Sequence, residues 1–379
     1  MIKVCHMTSA HQPGDTRIFQ KECVSLAKAG YQVFLVQRGE SGENSGVRII
    51  GVGQPSGGRL TRMTSFARKV YEAALAVDAD LYHLHDPELL PYGIKFKRRG
   101  KKVIFDSHEL YAVQLRKKTY LPGWCTRIIA FGYARYERYV LRRLDGAIFP
   151  CTINGKDPFA GKCPHTALVD NSVKLEDFYE RYDPKAIRNR DQICLTGSLT
   201  EARGITSAVR AAASAECTLV LAGPISPADY EAQLRKMPEF SSVDYRGVLA
   251  KDQVAALLQT SRVGLSPLLN QGQYWKAENL STKICEYLAM GLPVVMNGSA
   301  YNRAFVERWH CGICVDPENV EEIASAIRYL LDHPDEAQQM GENGRQAVRE
   351  EFNWGVEEKK LLALYEEISS EVRERRKQV

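Results

Sequence analysis

Short apolar runs alternate with helix-length amphipathic segments from the first residue of this 379-residue chain onward, the rhythm of a parallel sheet covered on both faces. The runs predict strands over 3–7, 31–36, 47–52, 81–85, 102–106, 146–149 and 167–169. The first helix between them is well marked: Asp15 supplies an N-cap, Phe19, Cys23 and Leu26 recur on one face, and Gly30 stops it. Charges and Asp183-Pro184 then break the rhythm over 173–191, which reads as an interdomain linker. Alternation restarts with strands over 192–196, 217–222, 242–247, 263–266, 293–296 and 312–315, and with helices such as 205–215 and 282–290. Helical segments at 320–331, 335–351 and 354–376 close the chain, and the last carries Leu361, Leu362, Leu364, Tyr365 and Ile368, expected to pack back onto the first domain. The fold expected is α/β, with two doubly wound, Rossmann-like domains at 1–172 and 173–353. Two such domains would face a central cleft at the carboxyl ends of their strands, where open sheets bind ligands.

With 44% hydrophobic and 26% charged residues the chain can bury large cores. No apolar stretch approaches the ~18–20 residues a bilayer span needs, and the N-terminus reads as a strand rather than a signal peptide, so a cytoplasmic location is expected. Ten cysteines stand mostly alone in apolar runs, the pattern of reduced core thiols. Cys311 and Cys314 have metal-ligand spacing but no second pair, and their segment reads as a strand. The net charge of +5 is uneven: residues 1–175 carry 27 basic against 15 acidic residues, and the remainder 24 against 31. The first half is therefore built to meet something anionic, or simply carries solvated basic helix faces.

The loops after the strands hold the candidate chemistry. Gly-x-Gly-x-x-Gly is absent after the first strand and no Walker motif occurs, which argues against a dinucleotide or P-loop site; the glycines at 51–58 read as a turn. Arg17, Arg203 and Lys283 stand near helix starts, where the macrodipole disfavours cations unless an anion binds there. For Arg17 the expected alternative is a side chain pointing to water. The densest pattern runs from Glu278 to Glu286 and on through Tyr-Leu-Ala-Met-Gly-Leu-Pro-Val-Val. Its two carboxylates straddle one helix start, as a ligand with hydroxyls on both sides of a diphosphate would require; a surface ion pair is the bland alternative.

These landmarks resemble glycosyltransferase family 4. The opening from His6 to Gly30, His85-Asp-Pro-Glu-Leu-Leu90, Asp106-Ser-His-Glu109, the stretch 197–204 and the Glu-x7-Glu segment match that family's motifs in order along nearly the whole chain. The resemblance implies a GT-B fold, a nucleoside diphosphate sugar as donor, retention of anomeric configuration by front-face attack, and no metal or other cofactor. It implies that Glu286 binds the donor ribose and Glu278 the transferred sugar. Arg203 and Lys283 would neutralise the leaving diphosphate, and His108 would reach the donor sugar from the first domain. Gly14, Gly197, Ser198, Asn279, Leu280, Ser281 and Thr282 would line the donor, and the backbone near Val248 would meet the base. Many members carry Arg where this chain has Ser198, so the diphosphate rests on fewer charges here.

Other readings stay open beside it. His83, His85, Asp86, Asp106 and His108 lie at two neighbouring strand ends and could hold a metal, although His83 and His85 share one strand face, which argues against that reading. Asp78-Ala-Asp80 precedes its strand and is rejected as a metal motif. Basic clusters at 59–69 and 95–102, and the mixed basic and aromatic segment 127–143, suit an anionic membrane surface on the inner face of the cell membrane or an ordinary helix with a solvated basic face. No recognised nucleic-acid module accompanies the charge. The expected partners are a nucleotide-sugar donor and a glycan or lipid-linked acceptor of cell-envelope polysaccharide synthesis. The rival functions are a non-catalytic sugar-nucleotide-binding subunit and a nucleotide-hexosamine epimerase.

Overall fold

The computed structural model describes residues 1–109, 111, 123–271 and 275–378. The chain forms two compact units, Met1–Asn171 with Glu357–Val379, and Ser172–Val356. Both are α/β with parallel sheets.

In unit 1 the strands are β1 (Lys3–Met7), β2 (Gln32–Gln37), β3 (Gly42–Asn44), β4 (Val47–Gly51), β5 (Leu81–Leu84), β6 (Lys102–Asp106), β7 (Gly146–Phe149) and β8 (His165–Leu168). Their order is β3-β4-β2-β1-β5-β6-β7-β8. All pair in parallel except β3, an exposed antiparallel edge whose polar residues give no strand pattern in the sequence. The chain begins at β1, winds outward through β2 and β4, and re-enters at β5 on the other side of β1. The switch point thus lies between β1 and β5, and the loops after these two strands border it. In the β1–β5 register His6 stands opposite His83. Strand geometry sends the side chains of His83 and His85, two residues apart, to one face.

The helix after β1 starts where the sequence places it, with the Asp15 carboxylate accepting from the N–H groups of Arg17 and Ile18. It opens as a π-helix, Thr16–Cys23, before continuing as an α-helix, Val24–Lys28. Such widened turns concentrate at functional sites. Here the turn buries Arg17, Lys21 and Glu22 along with Ile18, Phe19 and Cys23, which a regular 3.6-residue period does not anticipate. The closing helix, Trp354–Gln378, buries Leu361, Leu364, Tyr365 and Ile368 in unit 1. A Cβ on Gly146 would come within 2.8 Å of the Ile368 Cδ1 atom, so a larger residue there would push that side chain aside.

Unit 2 contains β9 (Gln192–Thr196), β10 (Thr218–Ala222), β11 (Val243–Tyr245), β12 (Val263–Ser266), β13 (Val294–Asn297) and β14 (Gly312–Val315). The order β11-β10-β9-β12-β13-β14 puts its switch point between β9 and β12. Two glycines draw the neighbouring loops together: a Cβ on Gly204 would sit 1.9 Å from the Pro267 carbonyl oxygen, and one on Gly223 1.8 Å from that of Gly197. Segment 173–191 is no free tether. Val173 and Phe178 join the core of unit 2, and Arg188 donates to the carbonyls of Ser261, Met290 and Gly291. Its charges disguise an apolar anchor.

All ten cysteines are free. Burial pushes the Cys311 thiol up to about 12 and that of Cys314 up to about 11, keeping both protonated at neutral pH. No helix among the described residues is long and apolar enough to cross a membrane.

Candidate active site

In unit 2 the segment Glu278 to Glu286 wraps one helix N-terminus. The helix spans Thr282–Ala289 behind Ser281, its N-cap residue, whose hydroxyl makes no capping bond. Lys283 lies in its first turn and is buried, and its Nζ makes no hydrogen bond among the described residues. The Ser281 hydroxyl and that of Ser266, at the end of β12, are likewise buried without a hydrogen-bond partner. Burial lowers the Lys283 ammonium to about 7, with the nearby Arg203 lowering it further and Glu286 pulling the other way. A buried cation lacking a hydrogen bond is costly, and next to a helix N-terminus it forms a receptor for a multiply charged anion.

Arg203 ends a short turn, Glu201–Arg203, just ahead of Gly204 and the helix Ile205–Ser214. The left-handed Gly204, φ +72°, closes that turn against Pro267. Gly197 and Ser198 are exposed directly after β9, with Gly197 at φ +91°. Val248 is 74% exposed in the loop after β11, a strand ending at Tyr245 rather than 247. Glu278, Asn279, Thr282 and Glu286 are half-buried, and Leu280 is buried in the core beneath them.

In unit 1 a cavity of about 680 Å³ opens at the switch point, bordered by His11, Arg62, Asp86, Glu88, His108 and Tyr111. His108 Nε2 lies 3.0 Å from His85 Nδ1 and 3.2 Å from Asp106 Oδ2, and its ring meets that of His11 at 4.4 Å. Asp86 Oδ2 accepts from the Thr8 hydroxyl and from the backbone N–H groups of Ser9 and Ala10, while its Oδ1 lies 3.2 Å from His11 Nδ1. Burial works against its charge, but His11 and these donors outweigh it and hold the carboxyl low. Arg62 pairs with Glu88 at the rim, and Gly14 is exposed on the loop after β1 at φ +75°.

Arg17 does not point to water. It is 4% exposed; Nε and Nη2 donate to the two Asp106 oxygens at 2.9 Å each, Nη1 donates to the Val169 carbonyl, and Nε lies 3.0 Å from Glu22 Oε1. The supporting residues His6, Glu22 and Tyr365 escape a motif reading because each falls within an apolar face. Charges on the buried face of the first helix are the signal that could have revealed them. The metal grouping forms only in part: His85, Asp106 and His108 bring ligand atoms within 4.8 Å of one another, whereas Asp86 is taken by the loop after β1 and His83 lies deeper, against His6 and Glu22.

Residues 16–153 match the family described as "Glycosyl transferase 4-like domain", and residues 203–363 that described as "Glycosyl transferase-like". Over 125 residues the chain is 30% identical to MMP alpha-(1->4)-mannosyltransferase of Mycolicibacterium hassiacum. That alignment covers 33% of this chain and 29% of the relative, so the chain spans under a third of the length of this curated relative. Sucrose-phosphate synthase from Thermosynechococcus elongatus superposes with a TM-score of 0.78 at 20% identity, covering 98% of this chain and all of the other. The Anabaena protein HepE in complex with UDP-glucose does so with a TM-score of 0.68 at 14% identity, covering 98% of this chain and all of the other. With the two glycosyltransferase matches falling one on each doubly wound unit, and the fold shared along the chain, it belongs to the GT4-like glycosyltransferases of GT-B fold.

Proposed function

We propose that the chain is a hexosyltransferase that moves a sugar from a nucleoside diphosphate sugar to a hydroxyl of a glycan or lipid-linked saccharide, with retention of configuration. The observation that carries this reading is the buried Lys283 ammonium without a hydrogen-bond partner at a helix N-terminus beside Arg203. Bond cleavage leaves negative charge on the diphosphate, and preorganised donors there are worth roughly 3–4 kcal/mol each. Lys283, Arg203 and the first N–H groups of the 282–289 helix supply that charge stabilisation in place of a metal. Glu286 holds the ribose, Glu278 orders the hydroxyls of the transferred sugar, and His108 acts on that sugar. With Ser198 bringing no charge, the work falls to Lys283 and Arg203 together. The relatives named as mannosyltransferases and the UDP-glucose complex of HepE support a nucleotide-sugar donor.

The test is a panel of nucleotide sugars scored first for thermal stabilisation, then for nucleoside diphosphate released with and without acceptor. Acceptor-dependent release is expected. Stabilisation without turnover would mark a binding subunit, and conversion without acceptor an epimerase. Glu286→Ala should weaken donor binding about tenfold or more, the loss of a charged hydrogen bond, whereas Glu278→Ala should mainly lower turnover. Equal, small effects in donor titrations and initial rates would remove both assignments.

We further assign the helix Gly123–Leu141 to an anionic membrane surface. Ile128, Ile129 and Phe131 are exposed on it among the exposed Arg127, Arg135 and Arg138, an apolar face framed by cations. The protein should sediment with vesicles containing acidic lipid and be released by salt, since screening acts over about 8–10 Å near physiological strength. Replacing Arg138, Arg142 and Arg143 by Gln should reduce that binding and leave donor affinity unchanged. Wild-type protein that ignores acidic vesicles at low salt would end the membrane assignment while leaving the transferase intact.

A further inference from the structure

Beneath the unit 1 cavity, His6, Glu22, His83 and His85 are all fully buried, and one ligand atom from each lies within 4.8 Å of the others. His6 Nδ1 is 2.9 Å from His85 Nε2, and Glu22 Oε2 is 3.9 Å from His83 Nε2 and 4.0 Å from His85 Nε2. Two of these atoms, His83 Nε2 and Glu22 Oε2, make no hydrogen bond. Buried polar atoms in that condition call for an explanation. Around a tetrahedral zinc-class ion with bonds of about 2.0–2.1 Å, neighbouring ligand atoms stand about 3.3 Å apart, so His6 and His85 would move slightly apart and Glu22 would close in by about half an ångström. We propose that these four side chains form a structural site for a divalent zinc-class cation, with three neutral imidazoles and one carboxylate as ligands.

The surroundings have the form such a site needs. A ligating histidine has its second ring nitrogen held by a partner that fixes orientation and tautomer. His83 Nδ1 lies 2.7 Å and His6 Nε2 3.2 Å from the Tyr365 hydroxyl, and His85 Nδ1 meets His108 Nε2 at 3.0 Å. Glu22 Oε1 lies 3.0 Å from Arg17 Nε, an ion-pair contact without a hydrogen bond. Burial holds His6, His83 and His85 in the neutral form that ligates. Asp106 and Glu22 face the single guanidinium of Arg17; burial and the neighbouring Asp106 push the Glu22 carboxyl well above the usual carboxylate range, so a bound cation would take the place of its proton. The shared strand face of His83 and His85 is what brings both rings against His6. His85 also borders the cavity, which provides a route of entry. With all four positions filled by side chains, the ion would lock β1, β5, the π-helix and, through Tyr365, the closing helix, rather than bind substrate.

The full chain, stripped by chelator and dialysed, should take up one Co²⁺ with the visible bands of a tetrahedral nitrogen and oxygen site, retain one Zn²⁺ through gel filtration, and melt at a higher temperature with metal than without. H83Q and E22Q should each lower affinity at least tenfold, because removing even a supporting partner of a ligand costs about 10–100-fold. C311S/C314S should bind as wild type does. If wild-type protein gives no cobalt bands, the missing positive charge is a proton on the cluster and the proposal falls. It falls equally if thiolate-to-cobalt absorption appears and vanishes in C311S/C314S, or if folded H83Q and E22Q keep full affinity. Should both variants fail to fold, the wild-type spectrum and C311S/C314S decide the question alone.

Discussion

Lys283→Ala and Arg203→Ala should each lower kcat by about 10²–10³, the cost of losing one preorganised donor to a developing oxyanion. In steady-state rates at saturating donor the two losses should be of similar size, and folding should survive both. The buried ammonium adds a pH signature. Its lowering to about 7 in the free protein means that a neutral fraction coexists with the ammonium near neutral pH. A bound diphosphate favours the charged form, so donor binding above pH 7 takes up a proton and donor affinity falls as pH rises. Calorimetry in buffers of different ionisation heat reads that uptake directly. The stability linkage has the opposite sense. An unfolded lysine titrates near 10.4, so between about 10.4 and 7 the unfolded chain holds more proton than the folded one, and falling pH erodes stability. Lys283→Met should therefore raise the melting temperature of the ligand-free protein while lowering turnover as Lys283→Ala does, the sign of a residue kept for chemistry at the expense of stability. Near-normal rates in both alanine variants would mean that the diphosphate is held by other groups.

The parallel sheets were legible because buried parallel strands read as continuous apolar runs. Most strands fall within a residue or two of the expected limits, and the ends that moved, such as 242–247 shortening to Val243–Tyr245, lie where polar and apolar residues mix. Gly42–Asn44 was illegible because an exposed edge needs no apolar side chain. The donor segment could be read because its chemistry is local: one helix start carries Ser281, Lys283 and Glu286 within six residues. The unit 1 network could not, because its members come from β1, the π-helix, β5, β6 and the closing helix, as far apart as His6 and Tyr365. Arg17 shows the point most clearly. A cation early in a helix is ordinarily solvated, and only a carboxylate at position 106, reached by folding, turns it inward. The segment 173–191 misled for the converse reason, since its charges outnumber the two apolar residues that anchor it.

Arg17→Met should destabilise unit 1 by about 3–5 kcal/mol, the usual loss when one partner of a buried ion pair is removed and its counter-charge stays behind. Methionine keeps much of the volume, so the loss reports charge rather than a cavity. Both Asp106 oxygens would lose a donor at 2.9 Å, the Val169 carbonyl would lose another at 3.0 Å, and Glu22 would lose its ion-pair partner. The bidentate geometry cannot be rebuilt by lysine, which presents a single point charge. Arg17→Lys should thus recover only part of the loss. The comparison that isolates the electrostatic cause is R17M/E22Q/D106N, which removes the abandoned Asp106 charge and the raised Glu22 carboxyl together with the guanidinium. Neutral amides still require hydrogen bonds but no counter-ion, so the triple variant should be more stable than R17M alone. Because two units need not unfold together, urea dependence of hydrogen exchange at the β1 and β6 amides is the measurement that reads unit 1 by itself. A loss below about 1 kcal/mol in R17M, the range of an exposed pair, would show that Asp106 and Glu22 are satisfied by other means, and a triple variant less stable than R17M would show that the carboxylates stabilise the unit without their arginine.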